Sequence, residues 1–293
     1  MSERKRWAVA CMAGSFKGAF VHGALHALEA AGFRADAYAA ASSTTLAAAF
    51  AAAGAVHEID FSIWSTGVDI VRQPGTSMSD AVFAGIQALA PRLREVLFCP
   101  GASRFCVAVS HVRTAAAAQL TQGDGARRLG RRLMVEAARH NTEWRDQHLE
   151  FQLFDTHSAD SSLRITPENL EEVAYATTRM LHAWQIPAAI NGQPYVDASY
   201  TCQCPAVEMT TQGFDAVLAI ATEPAPVSRD LFGTTLLPSE WNGVPIVIIS
   251  PERDLTEIGV EFAHATPQGL SQAFHQGAAA AQRFLTVDNG SLR

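Results

Sequence analysis

Charge is scarce in this sequence, and what there is leans acidic. Asp, Glu, Lys and Arg make up 17% of the 293 residues, against 48% apolar residues, a balance that excludes a mainly disordered chain and supplies a large core. The 22 basic residues are outnumbered by 29 acidic ones, for a net charge of -7. No overall positive field therefore draws nucleic acid or an anionic bilayer, although the sum leaves room for a local patch. No nucleic-acid partner is expected, and at most a peripheral contact with a membrane.

Long hydrophobic runs are missing as well. No stretch reaches the roughly 18 apolar residues that span a bilayer, and Ala47–Ala55 is short and built of small side chains. The apolar segment Trp7–Met12 behind the basic start runs into Gly14-Ser15-Phe16-Lys17 and is too short for a secretory signal. Cysteine is sparse: Cys11, Cys99, Cys106, Cys202 and Cys204 are odd in number and scattered, which argues against a disulfide framework and for a cytoplasmic protein. Cys202-Gln-Cys204 has no second pair at zinc-ribbon spacing, and His22 and His26, four apart on one predicted helix, lack an evident third ligand. The dinucleotide fingerprint G-x-G-x-x-G does not occur, and Gly14 to Gly18 followed by Ala-Phe is not a phosphate loop. No metal and no cofactor are expected.

What is present reads as an α/β chain. Trp7–Met12 is an apolar strand, Ala19–Ala31 a helix stopped by Gly32, Ala35–Ala41 a second strand, and Leu46–Ala53 a helix closed by Gly54. This βαβα opening predicts a doubly wound, mostly parallel sheet with helices on both faces. Further on, helices are predicted over Ser79–Phe98, Gly125–Arg139 (basic and amphipathic), Thr166–Leu181 and Pro267–Leu285. Strands are predicted over Arg104–Val112, Leu149–Phe154, Phe214–Ala221 and Pro245–Ser250. No repeat or linker divides the chain; Thr222–Glu240, with three prolines, reads as a surface loop, and residues 1–293 are expected to form a single domain.

Three segments carry the chemistry. Ser42-Ser43-Thr44-Thr45 lies at a strand-to-helix turn, where a hydroxyl projects from the sheet's carboxyl edge into a helix N-terminus that favours negative charge. These residue types also simply cap helices. Ala13-Gly14-Ser15-Phe16-Lys17-Gly18 follows the first strand, and its small residues let backbone N–H groups approach a ligand oxygen, as an oxyanion hole requires; a plain turn fits as well. In Gly192-Gln-Pro-Tyr-Val-Asp197-Ala-Ser a short apolar run ends in an acid, a place where Asp also acts as a turn former.

Taken together, these segments resemble the patatin-like phospholipase family, which carries G-G-G-x-[KR]-G after its first strand, G-x-S-x-G at the end of the second, and D-G-[GA] far downstream. The likeness runs through Ala13-Gly-Ser-Phe-Lys-Gly18, Gly23-Ala-Leu25, Leu28-Glu29, Gly32 and Asp36. It continues in Ile186-Pro187, Tyr195-Val-Asp197 and Pro205 and is weakest between His57 and Asp160. In the family the serine lies six residues after an acid like Asp36, four before a leucine like Leu46 and twelve before a glycine like Gly54; all three offsets select Ser42, with Ser43 as runner-up. The chain departs from the family in its glycines. Ala40 and Thr44 flank Ser42 at the motif positions, Ala198-Ser199 follows Asp197, and Ala13 and Ser15 replace two of three in the first motif. A β-branched Thr44 crowds such an elbow more than glycine would.

The resemblance implies a patatin-like fold and a serine hydrolase acting on acyl esters or lipids. Asp197 would take the proton of Ser42 directly, and an acyl-enzyme would form. The N–H groups near Gly14 and Ser15 would hold the oxyanion, with Lys17 and Gly18 supporting the loop or Lys17 meeting an anionic substrate group. Transfer to an acceptor or thioester cleavage on an acyl carrier is the alternative within catalysis. A non-catalytic patatin-fold binding protein is the alternative outside it. Leu149–Phe154, Trp64 and Trp184 are candidates for lining an acyl pocket, with ordinary core positions as the other reading.

Overall fold

The computed structural model of the chain describes residues 4–287. It opens with β1 (Trp7–Cys11), α1 (Gly18–Ala30), β2 (Ala37–Ala41) and α2 (Thr45–Ala53), within a residue or two of the predicted segments. Both strands are buried throughout, and their alternate side chains enter two different cores. Trp7, Val9, Cys11, Tyr38 and Ala40 face one, while Ala8, Ala10, Ala37 and Ala39 face the other. A strand covered on both sides reads as an unbroken apolar run, which is how these segments look in the sequence.

The chain goes on through α3 (Ser62–Arg72), α4 (Met78–Leu97), β3 (Arg104–Val112), α5 (Ala115–Gln122), α6 (Ala126–Ala138), α7 (Glu143–His148), β4 (Leu149–Asp155) and α8 (Leu170–Ala176). It then forms β5 (Ala189–Ile190), β6 (Gln193–Val196), α9 (Ala206–Thr210), β7 (Ala216–Ile220), β8 (Glu240–Trp241), β9 (Val244–Ile249) and α10 (Pro267–Val287). Strands β3, β2, β1, β7 and β9 lie side by side and parallel, in that order, within a sheet of nine; β4, β6 and β8 run antiparallel to their neighbours. The fold is α/β, with a mostly parallel sheet and helices on both faces. Coverage is unequal: α1, α2, α4, α8 and α10 pack on one face and, among the described residues, α9 alone of the helices on the other.

The close packing of α1 on α10 has a direct cause in sequence. A Cβ at Gly23 would lie 1.9 Å from the carbonyl oxygen of Phe274, and one at Gly277 1.9 Å from that of Phe20. The two helices touch backbone to backbone, which only glycine permits at these crossings.

Several expectations need correction. Helices α3, α5, α7 and α9 are absent from the sequence reading. In α3, β-branched and glycine residues weaken helix propensity, only Val68 is fully buried, and tertiary contact with α4 holds the segment. The helix expected over Thr166–Leu181 is confined to Leu170–Ala176. Residues 222–240 are not merely a surface loop, since Val227, Phe232 and Leu237 are buried and Ser228 bridges Leu236. Among the described residues no helix is long and apolar enough to cross a membrane.

The partners of β3 position the site. β4 pairs with β3 from Cys106 to Val112, so every other partner along that stretch lies on the opposite edge. There β2 pairs with Arg104–Ala108 and β6 with Ser110–His111, in opposite directions. The two strands therefore meet end to end along one edge of β3, and the residues that follow them, Ser42 and Asp197, arrive at the same point.

Candidate active site

Ser42 leaves β2 with φ of 56°, a left-handed conformation that a non-glycine residue adopts only where the surroundings enforce it. Here the enforcement is visible. The Ser42 N–H donates to Thr177 Oγ1 at 2.8 Å, and the Thr177 hydroxyl donates to the Ala108 carbonyl at 2.7 Å. Thr44 turns back so that its hydroxyl donates to Ala41 O at 3.0 Å, and its side chain is wholly buried. The β-branched residue is thus accommodated at the turn, bonded back to the end of β2 where the family motif has glycine.

The Ser42 hydroxyl donates to Asp197 Oδ2 at 2.9 Å, and the other carboxylate oxygen accepts the Ser199 N–H at 2.7 Å. Asp197 is 1% exposed. Burial pushes its carboxyl up to about 6, against the opposing pull of the bonds from Ser199 and Ser42. Its backbone is pinned by donation to Arg179 O at 3.0 Å and by the Ser110 hydroxyl, which donates to Asp197 O at 2.8 Å. Ser43, the runner-up, lies beside this pair with its hydroxyl buried and unpartnered among the described residues.

The loop after β1 comes within reach of the same turn. Ser15 also has positive φ, at 51°. Among the described residues the N–H groups of Gly14, Ser15, Phe16 and Ser43 donate to no other protein group. Two glycines of the loop are required by proximity: a Cβ at Gly14 would fall 2.6 Å from Thr222 Oγ1, and one at Gly18 2.7 Å from the Trp64 ring and 3.1 Å from Ser43 Oγ. Lys17 is not available to an anionic substrate group. Its ammonium is buried and bonded to Glu223 at 2.8 Å and Asp254 at 2.9 Å; burial works against its charge, but the two carboxylates raise its pKa on balance. It ties the loop to the segments after β7 and β9.

A narrow, mainly apolar cavity of about 110 Å³ opens at Ser42 between α2 and the α3–α4 pair, walled by Phe16, Leu46, Ile63, Trp64, Ile86 and Trp184. Trp64 and Trp184 thus line it, whereas β4 does not: Leu149 and Phe154 pack in the core on the far side of β3. His22 also borders the cavity. Its Nδ1 accepts the Trp64 indole N–H at 3.1 Å, and burial, helped by His26, drives its pKa down to about 4. At that pKa the imidazole is neutral near pH 7, and it packs edge-on against the Phe274 ring. Cys202 and Cys204 are buried thiols whose pKa burial raises.

Sequence reasoning passed over Thr177, Ser110 and the N–H groups of Phe16 and Ser43. Two signals were there to find: Thr177-Thr178 breaks the predicted helix with β-branched residues, and Ser110 is the one hydroxyl in the apolar run of β3.

No family model and no curated protein matches the sequence. Among solved structures, VipD from Legionella pneumophila is similar at 11% identity, over 97% of this chain and 67% of that one, with a TM-score of 0.46.

Proposed function

We propose that this chain is an acyl ester hydrolase of the patatin-like kind, acting on lipid or related acyl substrates through Ser42 and Asp197. The observation that carries the reading is a strained serine whose hydroxyl donates to a buried carboxylate, at the mouth of an apolar cavity. A carboxylate lifted to about 6 is still ionised near neutrality and is basic enough to draw a proton from an attacking hydroxyl. No histidine intervenes between them, so the pair is a dyad.

In this reading the Ser42 oxygen attacks the ester carbonyl while its proton passes to Asp197 Oδ2. The carbonyl oxygen, now negative, is held by the unpaired N–H groups of Gly14 and Ser15, with Ser43 as the residue following the nucleophile. Asp197 returns the proton to the departing alkoxide, leaving the acyl group on Ser42. Water then attacks the acyl-enzyme, giving its proton to Asp197, and Ser42 is released. Gly18 and Lys17 keep the loop in place, and the acyl chain lies along the cavity.

The reading is tested with a fluorophosphonate probe and a short-chain nitrophenyl ester. Labelling is expected on Ser42, as located by peptide mass spectrometry, and Ser42→Ala is expected to lower ester turnover about 10⁴-fold or more. Labelling on Ser43, or turnover that survives Ser42→Ala, would overturn the assignment. A folded protein that neither labels nor hydrolyses would favour a binding function.

A further inference from the structure

The most basic stretch of this acidic chain is α6. Arg127, Arg128, Arg131 and Arg132 are all exposed on its first two turns. Among the described residues only Arg132 has a carboxylate at salt-bridge distance, Glu136 at 3.2 Å. The next turn of the same outer face carries apolar residues: Met134 is 36% and Val135 52% exposed. Leu120 in α5 and Ile186 before β5, at 45% and 39%, are two more of the few large apolar side chains on the surface. They belong to the same neighbourhood, because the buried Arg179 guanidinium donates to both Thr121 O and Ile186 O. An exposed helix with arginine and apolar residues on one outer face is what an anionic membrane surface attracts. A polynucleotide would match the arginines but leave the apolar residues without a purpose.

This face is also mechanically tied to the cavity. A Cβ at Gly130 would sit 2.3 Å from the His182 N, so the inner side of α6 rests directly on the turn that carries Trp184. Burial lowers the His182 pKa, and Arg127 and Arg131 lower it further, as expected of cations beside it. Between α6 and that turn lies an open groove lined by Arg127, Gln122, Asp124 and Gln185, and its walls include Met78 and Trp184. Those two residues also wall the cavity at Ser42. The groove and the cavity at Ser42 are thus neighbours, with Met78 and Trp184 between them.

We infer that the α6 face, with Leu120 and Ile186, is an interfacial docking surface for anionic lipid bilayers and presents the groove to the membrane as the entrance for lipid substrate. The arginines meet lipid phosphates and carboxylates, and Val135, Ile186 and Leu120 sit at the acyl boundary. The assignment of the groove as an entrance rests on the hydrolase reading; the docking surface itself does not.

The experiment is co-sedimentation of the whole protein with vesicles of phosphatidylcholine alone and of equimolar phosphatidylcholine and phosphatidylserine, at low and at high salt. Preferential binding to the anionic vesicles, weakened by salt, is expected. Arg127→Glu with Arg131→Glu is expected to lower it by about thirtyfold. Val135→Ser with Ile186→Ser should weaken the part that persists in salt. Arg253→Glu with Arg283→Glu, an equal charge change at exposed positions outside α6, should retain binding. Equal binding to both vesicle types, no binding, unchanged binding by the α6 double variant, or tighter binding to duplex DNA than to anionic vesicles would overturn the proposal. Hydrolysis of a soluble nitrophenyl ester, measured on the same preparations, separates the two readings. Ester turnover without selective vesicle binding removes the docking surface alone, and selective binding without turnover removes the hydrolase alone.

Discussion

The loops after β1 and β2, backed by the loop after β6, and the α3–α4 pair meet at the same cavity, yet they are built on different principles. In the loops the groups that position the serine and the acid are committed, while the N–H groups of Gly14, Ser15, Phe16 and Ser43 stay open among the described residues. Ser42 N–H is bonded to Thr177, Thr44 to Ala41, Asp197 to Ser42 and Ser199, and Lys17 to Glu223 and Asp254. The helical pair meets the cavity with apolar side chains such as Ile63, Val82 and Ile86, and Val68 is the one residue of α3 that is fully buried. Directional bonds hold positions to within fractions of an ångström, whereas apolar packing tolerates changes of shape. The comparison teaches that the loops holding Ser42 and Asp197 and the apolar wall of the cavity are separable: one is rigid by hydrogen bonding, the other adjustable by side-chain size.

The sharpest way to break that comparison is at its most committed residue. Asp197→Asn is expected to lower kcat/KM for ester hydrolysis by about 10³-fold, the middle of the range for loss of a general base. In the parent, the rate should rise with pH and level off above about 6, where the carboxyl is ionised. Stability should run the other way. The folded carboxyl, at about 6, lies above its ordinary 3.8, so the folded state holds a proton that the unfolded state has lost between those values. The contribution of this group is complete below about 4 and declines as pH rises through 6, by on the order of 3 kcal/mol. Urea melts at pH 4, 6 and 8 check this: the asparagine variant should gain on the parent as pH rises. A flat difference would mean that burial does not govern Asp197.

A smaller effect is expected at Thr177. Thr177→Val keeps the shape but strands the Ser42 N–H and the Ala108 carbonyl, at about 1–3 kcal/mol for each buried group left unpaired. Chemical denaturation should show a loss of 2 kcal/mol or more, on the order of that principle, accompanied by slower turnover as the elbow relaxes. Loss of stability without loss of turnover would show that the elbow does not depend on this bond.

The smallest effect is expected on the adjustable wall. Gly85 in α4 borders the cavity, and a Cβ there would stand 3.9 Å from Ile63 and Leu46, an ordinary contact. Gly85→Ala should raise stability by about 0.5–1 kcal/mol through helix propensity. It should also lower the ratio of long-chain to short-chain ester turnover a few-fold by narrowing the space. An unchanged ratio across a series of nitrophenyl esters would show that the acyl chain does not pass beside α4.

The regions differ equally in how they could be read before folding. β1, α1, β2 and α2 announce themselves through uninterrupted apolar strands, helical spacing, and Gly32 and Gly54 as stops, all local signals. Ser42, Asp197 and Gly14 were legible because each sits at the end of an apolar run beside small residues. α3 was not, since its sequence lacks propensity and its helix exists through contact with α4. Thr177 was misread for a related reason. Its stretch has the pattern of a helix, but the chain leaves the helix to bond Ser42, Ala108 and Ala198, and tertiary demand outweighs a propensity of a few tenths of a kcal/mol per residue.

From its sequence alone this chain was bound to form buried parallel strands with helices across them, because patterns of period 2 and 3.6 are short-range and need no partner to be read. Likewise the serine turn, the small-residue loop and the acid could be named one by one. Only the tertiary structure brought Ser42 to Asp197, since their meeting depends on β2 and β6 sharing one edge of β3 from opposite directions. Only it raised the Asp197 carboxyl to about 6, because burial is a property of the assembled core rather than of any neighbour in the chain. And only it set the arginines of α6 against the turn that walls the cavity, because the contact between Gly130 and His182 spans residues that no local pattern relates.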